Sequence, residues 1–225
     1  MKPWKTACFL SFLILFPLTT WSADVVVPGP KGLSVCAPES PLLDSMRRVA
    51  TQFGTLSGCF VSDEKTQVNG ANYPLEVAFA VALFHEDSGP STTADVDKLY
   101  VTTERRWENA QPLWNQNKAA YERYVEELVR KTSPNASQTG SMSMDQPVLV
   151  SMQRVNSSAY TVVSIRRRKI SKGGNTFSFD TSEGAAIVLS KGSLVRLTIQ
   201  RQFRGQGDVD AVKSEITAWA FSLAK

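Results

Sequence analysis

The stretch AAIVLSKGSLVRLTIQRQF (residues 185–203) decides the architecture. Two runs of aliphatic and β-branched residues flank Lys191-Gly192, a pair suited to the tight turn of a β-hairpin. As a two-residue loop, this turn sets Val188 opposite Val195 and Ala186 opposite Leu197, giving one apolar face. Ile187 then lies beside Arg196 on the other face.

The pattern extends in both directions. Upstream, residues 148–155, 160–170 and 176–181 read as further strands, with Gly173-Gly174 as another tight turn. That turn places Arg167 opposite Asp180 and Arg168 opposite Phe179, an expected cross-strand ion pair and an expected stacked guanidinium. Downstream, Asp208 is expected to cap a helix whose stripe is Val209, Val212, Ile216, Trp219, Ala220 and Leu223. The stripe should pack on the sheet.

Earlier in the chain, Ser40 can cap a helix with Pro41 in its first turn. Leu42, Met46, Val49, Ala50 and Phe53 repeat at helical spacing, and Gly54 is expected to end it. Residues 75–84 (LEVAFAVALF) alternate as a half-buried strand, expected to pair with the region of Phe60 and Val61 through an Asn69-Gly70 turn. A helix capped near Thr93 carries Val96, Leu99, Tyr100, Thr103, Trp107 and Ala110 on one face. Pro112 either kinks it or separates it from a second stretch through Trp114 and Tyr121. Trp107, Trp114 and Tyr121 either pack on the sheet or line a ligand groove. The polar residues 133–146 read as an exposed loop. The fold class is therefore α+β: an antiparallel sheet packed with amphipathic helices and closed by one disulfide.

The first 23 residues read as a cleaved signal peptide. Lys2 and Lys5 precede an apolar run over 7–18, and cleavage falls after Ser22 or Ala23. The run is shorter than a membrane span, and no later segment approaches that length, so no span is expected after cleavage. Removing two lysines and no acids takes the formal charge from +4 to +2, close to neutral, which argues against a nucleic-acid partner. The expected location is periplasmic or secreted. Residues 24–34 (DVVVPGPKGLS) read as an extended surface segment, and 35–225 as a single domain. In an oxidising compartment Cys36 and Cys59 are expected to form a disulfide, since their spacing fits neither CxxC nor a zinc site. In a eukaryotic host, Asn135-Ala-Ser and Asn156-Ser-Ser would be glycosylation acceptors.

The hairpin strand Gly192-Ser-Leu-Val-Arg-Leu-Thr-Ile199, followed by the helix pattern from Asp208 to Trp219, resembles the closing elements of Mog1/PsbP-like α/β/α domains. The resemblance covers about the last 40 residues and implies a binding or assembly role.

No cofactor or metal is expected: there is one histidine, His85, and no phosphate-cradling glycine loop. The candidate partner surface is basic: Arg166, Arg168, Arg196, Arg201 and Arg204, flanked by Arg167 and Lys169. Self-paired, solvated strands are the competing reading of the same residues. These features predict an exported, non-catalytic binding or accessory protein of the cell envelope with a protein or envelope partner. The alternative is a periplasmic or secreted hydrolase whose site assembles in space, from His85 or from carboxylates among Glu76, Glu86, Asp87, Glu104 and Glu108.

Overall fold

A computed structural model describes residues 27–68, 71–84, 89–111, 114–115, 119, 123, 140–172 and 175–224. The expected leader, the Asn69-Gly70 and Gly173-Gly174 turns, Glu86, Asp87, Pro112, Tyr121, Asn135 and His85 lie outside these residues.

The chain is α+β. In order it forms β1 (Ser34–Val35), α1 (Pro41–Ala50), β2 (Gly54–Val61), β3 (Lys65–Val68), β4 (Ala71–Pro74), β5 (Glu76–Leu83) and α2 (Thr93–Glu108). There follow β6 (Gly140–Met144), β7 (Val148–Asn156), β8 (Ala159–Lys172), β9 (Asn175–Ser190), β10 (Ser193–Gln202) and α3 (Gln206–Leu223). One antiparallel sheet runs β1-β2-β5-β10-β9-β8, and β6 and β7 both pair with β8 at its far edge. β3 and β4 form a separate ribbon.

The β9–β10 register is the expected one: Val188 pairs with Val195, Ala186 with Leu197 and Ile187 with Arg196. Lys191 (φ 49°) and Gly192 (φ 75°) take the left-handed turn conformations that this two-residue loop requires. Val188, Val195, Leu197 and Ile199 join Ala78, Ala80 and Val163 on one sheet face, against the expected stripe of α3. That face is closely packed. A Cβ on Gly184 would stand 2.8 Å from Val212 Cγ1, so the helix needs a bare backbone beneath it. The opposite face bears α2 over Tyr160, Val162, Ile187 and Leu194, and α1 over Phe79 and Val81. The Tyr160 hydroxyl meets Thr103 Oγ1 of α2 at 3.0 Å.

Several expectations need correction. Residues 176–190 are one strand, not two, because Ser182 to Gly184 continue the ladder with β8 and β10. The polar stretch expected as a loop contains β6, held to Arg168–Lys172 by main-chain pairing that requires no apolar pattern. Strand β5 is covered on both faces rather than half-buried. It pairs with β2 as expected (Phe60 with Ala78, Val61 with Val77), but the β3–β4 ribbon is inserted between them. Gly54 does not end α1, which stops at Ala50 with Thr51 as its cap. Gly54 opens β2, where a Cβ would run into the Ala82 carbonyl. Asp208 lies in the first turn of α3, not at its cap, and its carboxylate accepts the Arg204 N–H at 2.8 Å.

The N-terminal segment does more than cross the surface. Val27 and Pro30 are buried, and the Trp219 indole donates to the Pro28 carbonyl at 2.8 Å. The expected disulfide is present. Cys36 and Cys59 are bonded, and the Cys36 N–H donates to the Cys59 carbonyl at 2.8 Å, fastening both ends of the α1 excursion.

Candidate functional site

Of the five arginines of the expected basic surface, Arg166 and Arg196 lie on one face of the sheet and Arg201 on the other. Strand alternation divides them, and acidic partners neutralise most of those with described side chains. Arg166 Nε lies 3.1 Å from Glu183 Oε2, and the Gln200 amide donates to the same carboxylate at 3.3 Å. Arg196 shares this face, over the Phe53 ring at 5.9 Å. Burial pushes its guanidinium down from the ordinary value, Glu183 opposes this, and nearby Arg166 adds to the lowering. Arg201 emerges on the opposite face, bound to Glu76 through Nε at 2.7 Å and to Glu215 at 3.1 Å. Arg204 pairs with Asp208 at 3.3 Å. Burial would raise the Asp208 carboxyl, but the Arg204 N–H and guanidinium, with Arg201, hold it below the ordinary range. The backbone of Arg168 faces Phe179 as expected, while its side chain is outside the described residues. Arg167 forms the expected pair with Asp180 at 3.1 Å.

Of the carboxylates proposed from sequence, Glu104 and Glu108 stand exposed on α2. Glu76 instead enters a pair that sequence reasoning missed. Its partner Glu215 comes from α3, and Glu215 Oε2 is buried with no donor. Burial, then hydrogen bonding to Glu76 and the charge of Glu76, push Glu215 up to about 7 against the pull of Arg201. One shared proton would satisfy both carboxyls. The Glu76 side chain is 4% exposed and that of Glu215 34%, so this pair ties α3 to the sheet with its Glu76 end closed to solvent. The sequence signal was available: an acid inside an apolar strand needs a buried cation, and Arg201 lies opposite it on β10.

A different arrangement is open to solvent. Trp107, Ala110, Gln111 and Trp114, at and beyond the end of α2, form one wall of a groove of about 630 Å³. Asp145, Gln146, Pro147, Val148 and Leu149 form the other. Both readings of the tryptophans hold in part. Trp114 is buried, and Trp107 packs against the core under α2 while lining the groove. The Trp107 indole N–H is buried without a hydrogen-bond partner. Of the groove's lining, Val148 and Leu149 are 62% and 39% exposed, and the next residue, Val150, is 42% exposed. The sequence read these three as an ordinary strand; only the assembled sheet shows that they lie on its margin.

Among the described residues, no group of three or more histidine, cysteine, aspartate or glutamate side chains could hold a metal ion. No helix among them is long and apolar enough to cross a membrane. Compared with known protein families, curated proteins and solved structures, the chain matches none.

Proposed function

We propose that the chain is an exported, non-catalytic binding protein of the cell envelope, periplasmic or secreted, which holds a macromolecular partner at the Trp107 groove. The observation that carries this reading is the buried, unpartnered indole N–H beside three exposed aliphatic residues. An unmade hydrogen bond at a buried donor costs about 1–3 kcal/mol, and exposed aliphatic area gains nothing until covered. A partner that covers these residues and supplies an acceptor recovers both. The disulfide and the leader-like N-terminus support the oxidising location. The closing hairpin and helix, which resemble those of Mog1/PsbP-like domains, agree with a binding role.

The test is a photo-crosslinking amino acid placed at Val148 in intact cells, with Val35 as the control. Val35 is more solvent-accessible, at 74% against 62%, and lies on the opposite margin of the sheet. A discrete, saturable adduct from position 148 alone, lost with Leu149→Asp, is the expected result. Identical labelling from both positions would remove the basis for the groove. Uncleaved protein in the cytosolic fraction, with both thiols open to alkylation, would overturn the location.

A further inference from the structure

Resting on that reading, we propose that the partner is an extended polypeptide segment that adds to the outer edge of β7 as a further strand, with alternate side chains entering the groove. Four features carry this. First, β7 pairs with β8 along one edge, and among the described residues no strand pairs with the other. Main-chain donors and acceptors along such an edge are matched in register by another backbone, and by few other ligands.

Second, the exposed part of this edge carries no charge. Sheet margins are commonly blunted by charge or by short strands. On the other margin β1 has two residues and covers only Phe60 and Val61 of β2. β7 has nine, and its single charged residue, Arg154, turns toward α2. There it pairs with Asp97 at 2.7 Å and lies over the Tyr100 ring at 4.4 Å. The exposed Val148 to Val150 run remains uncharged.

Third, the groove opens beside this edge. A strand laid against β7 would direct every second side chain toward Trp107 and Pro147, where an aliphatic group finds apolar walls. Fourth, a carbonyl of that strand is an acceptor of the kind the Trp107 N–H lacks. Irregularities between Leu149 and Ser151 and between Arg154 and Asn156 interrupt β7, so the added strand should engage a short run rather than the whole edge.

The experiment uses the full chain and two end-capped heptapeptides of alternating valine and threonine, one unmodified and one N-methylated at alternate residues. The N-methylated twin keeps the side chains but loses main-chain donors. A chito-oligosaccharide serves as the non-peptide probe. The expected result is slowed amide exchange over residues 148–154, none at 34–35, and at least tenfold weaker binding of the twin. Leu149→Asp should weaken the unmodified peptide tenfold or more. Equal binding of the two peptides, or binding of neither at millimolar concentration, overturns strand addition. Tight binding of the oligosaccharide without peptide binding also overturns it and puts a glycan in the groove. Slowed exchange that grows with protein concentration alone would assign the edge to a second copy, and the proposal would fall. In each of these cases a surviving saturable crosslink at position 148 keeps the groove reading alive. Loss of that crosslink would remove both.

Discussion

The two faces of the sheet solve the packing problem in opposite ways. Under α3, small residues (Ala78, Ala80, Gly184, Ala186) bring helix and strands close, and the whole apolar stripe of α3 is buried. The rim of that face is sealed by the Trp219 bond to Pro28 and by the Glu76–Arg201–Glu215 triad. The α1/α2 face is divided. Its apolar residues form two separate clusters, with Glu183, Arg166, Gln200 and Thr198 on the same face. Thr198 Oγ1 is buried there without a partner. The first face buries the largest continuous apolar cluster, and the second leaves room at its margin for the groove.

The contrast can be broken most directly at Ile216, which has no exposed surface on α3. Ile216→Ala should cost about 3–4 kcal/mol in urea unfolding, because the interlocked face cannot collapse into the cavity. Leu99→Ala, at a partly buried position on α2, should cost less than half as much. Equal losses would mean the faces are not energetically distinct. Next in size is the clasp: Cys36→Ser/Cys59→Ser should lose about 3 kcal/mol on the chain-entropy argument. Wild type under reducing conditions should match the double variant.

The same contrast explains what the sequence could and could not reveal. The β9–β10 register was legible because Lys191-Gly192 is a turn of known length and the strands alternate cleanly. The α3 stripe was legible for the same reason, one residue type repeated on one face. Strand β6 was not, since Gly140–Met144 is recruited through its backbone by the edge of β8. Ser182-Glu183-Gly184 mimics a turn in composition, yet Gly184 is there to admit Val212 and Ile216, and Glu183 to receive Arg166. The division of the arginines was visible in strand periodicity: Arg196 and Arg201 sit an odd number of residues apart on one strand and must face opposite ways. Glu215 was beyond reach because its partner Glu76 lies on a strand in the first half of the chain, and only the folded sheet brings them together.

That carboxyl pair supplies a smaller test of the α3 face. In the folded chain Glu215 is pushed up to about 7, while unfolded it would titrate near an ordinary glutamate. Between those values the folded state holds a proton that the unfolded state releases. The contribution is therefore fully present below the unfolded value and is lost as pH rises through about 7. Glu215 is one-third exposed, so solvent screening reduces the full linkage to roughly 1 kcal/mol between pH 5 and pH 8. Glu76 and Arg201 are the charged groups that act on it, and the depressed Asp208 carboxyl, which also feels Arg201, acts in the opposite sense only at lower pH. Glu215→Gln mimics the protonated state, so it should match wild type at pH 5 and exceed it at pH 8. A variant that loses stability equally at both pH values would show that no proton is shared.

The smallest expected effect on folding is the sharpest test of the second face. Trp107→Phe deletes the buried indole N–H that has no partner, along with part of the apolar ring. Losing an unsatisfied donor is worth about 1–3 kcal/mol, and the reduced ring burial offsets much of it. Urea unfolding of the unliganded variant should therefore lie within about 0.5 kcal/mol of wild type or slightly above it. Crosslinking at Val148 should nevertheless fall, because the donor that a partner would engage has gone. A structural tryptophan, like Trp219 with its bond to Pro28, gives the reverse pattern when its N–H is removed: lost stability, with no effect confined to binding. If Trp107→Phe behaves like Trp219→Phe, the groove is part of the core, and the distinction between the two faces disappears at the point where it matters for function.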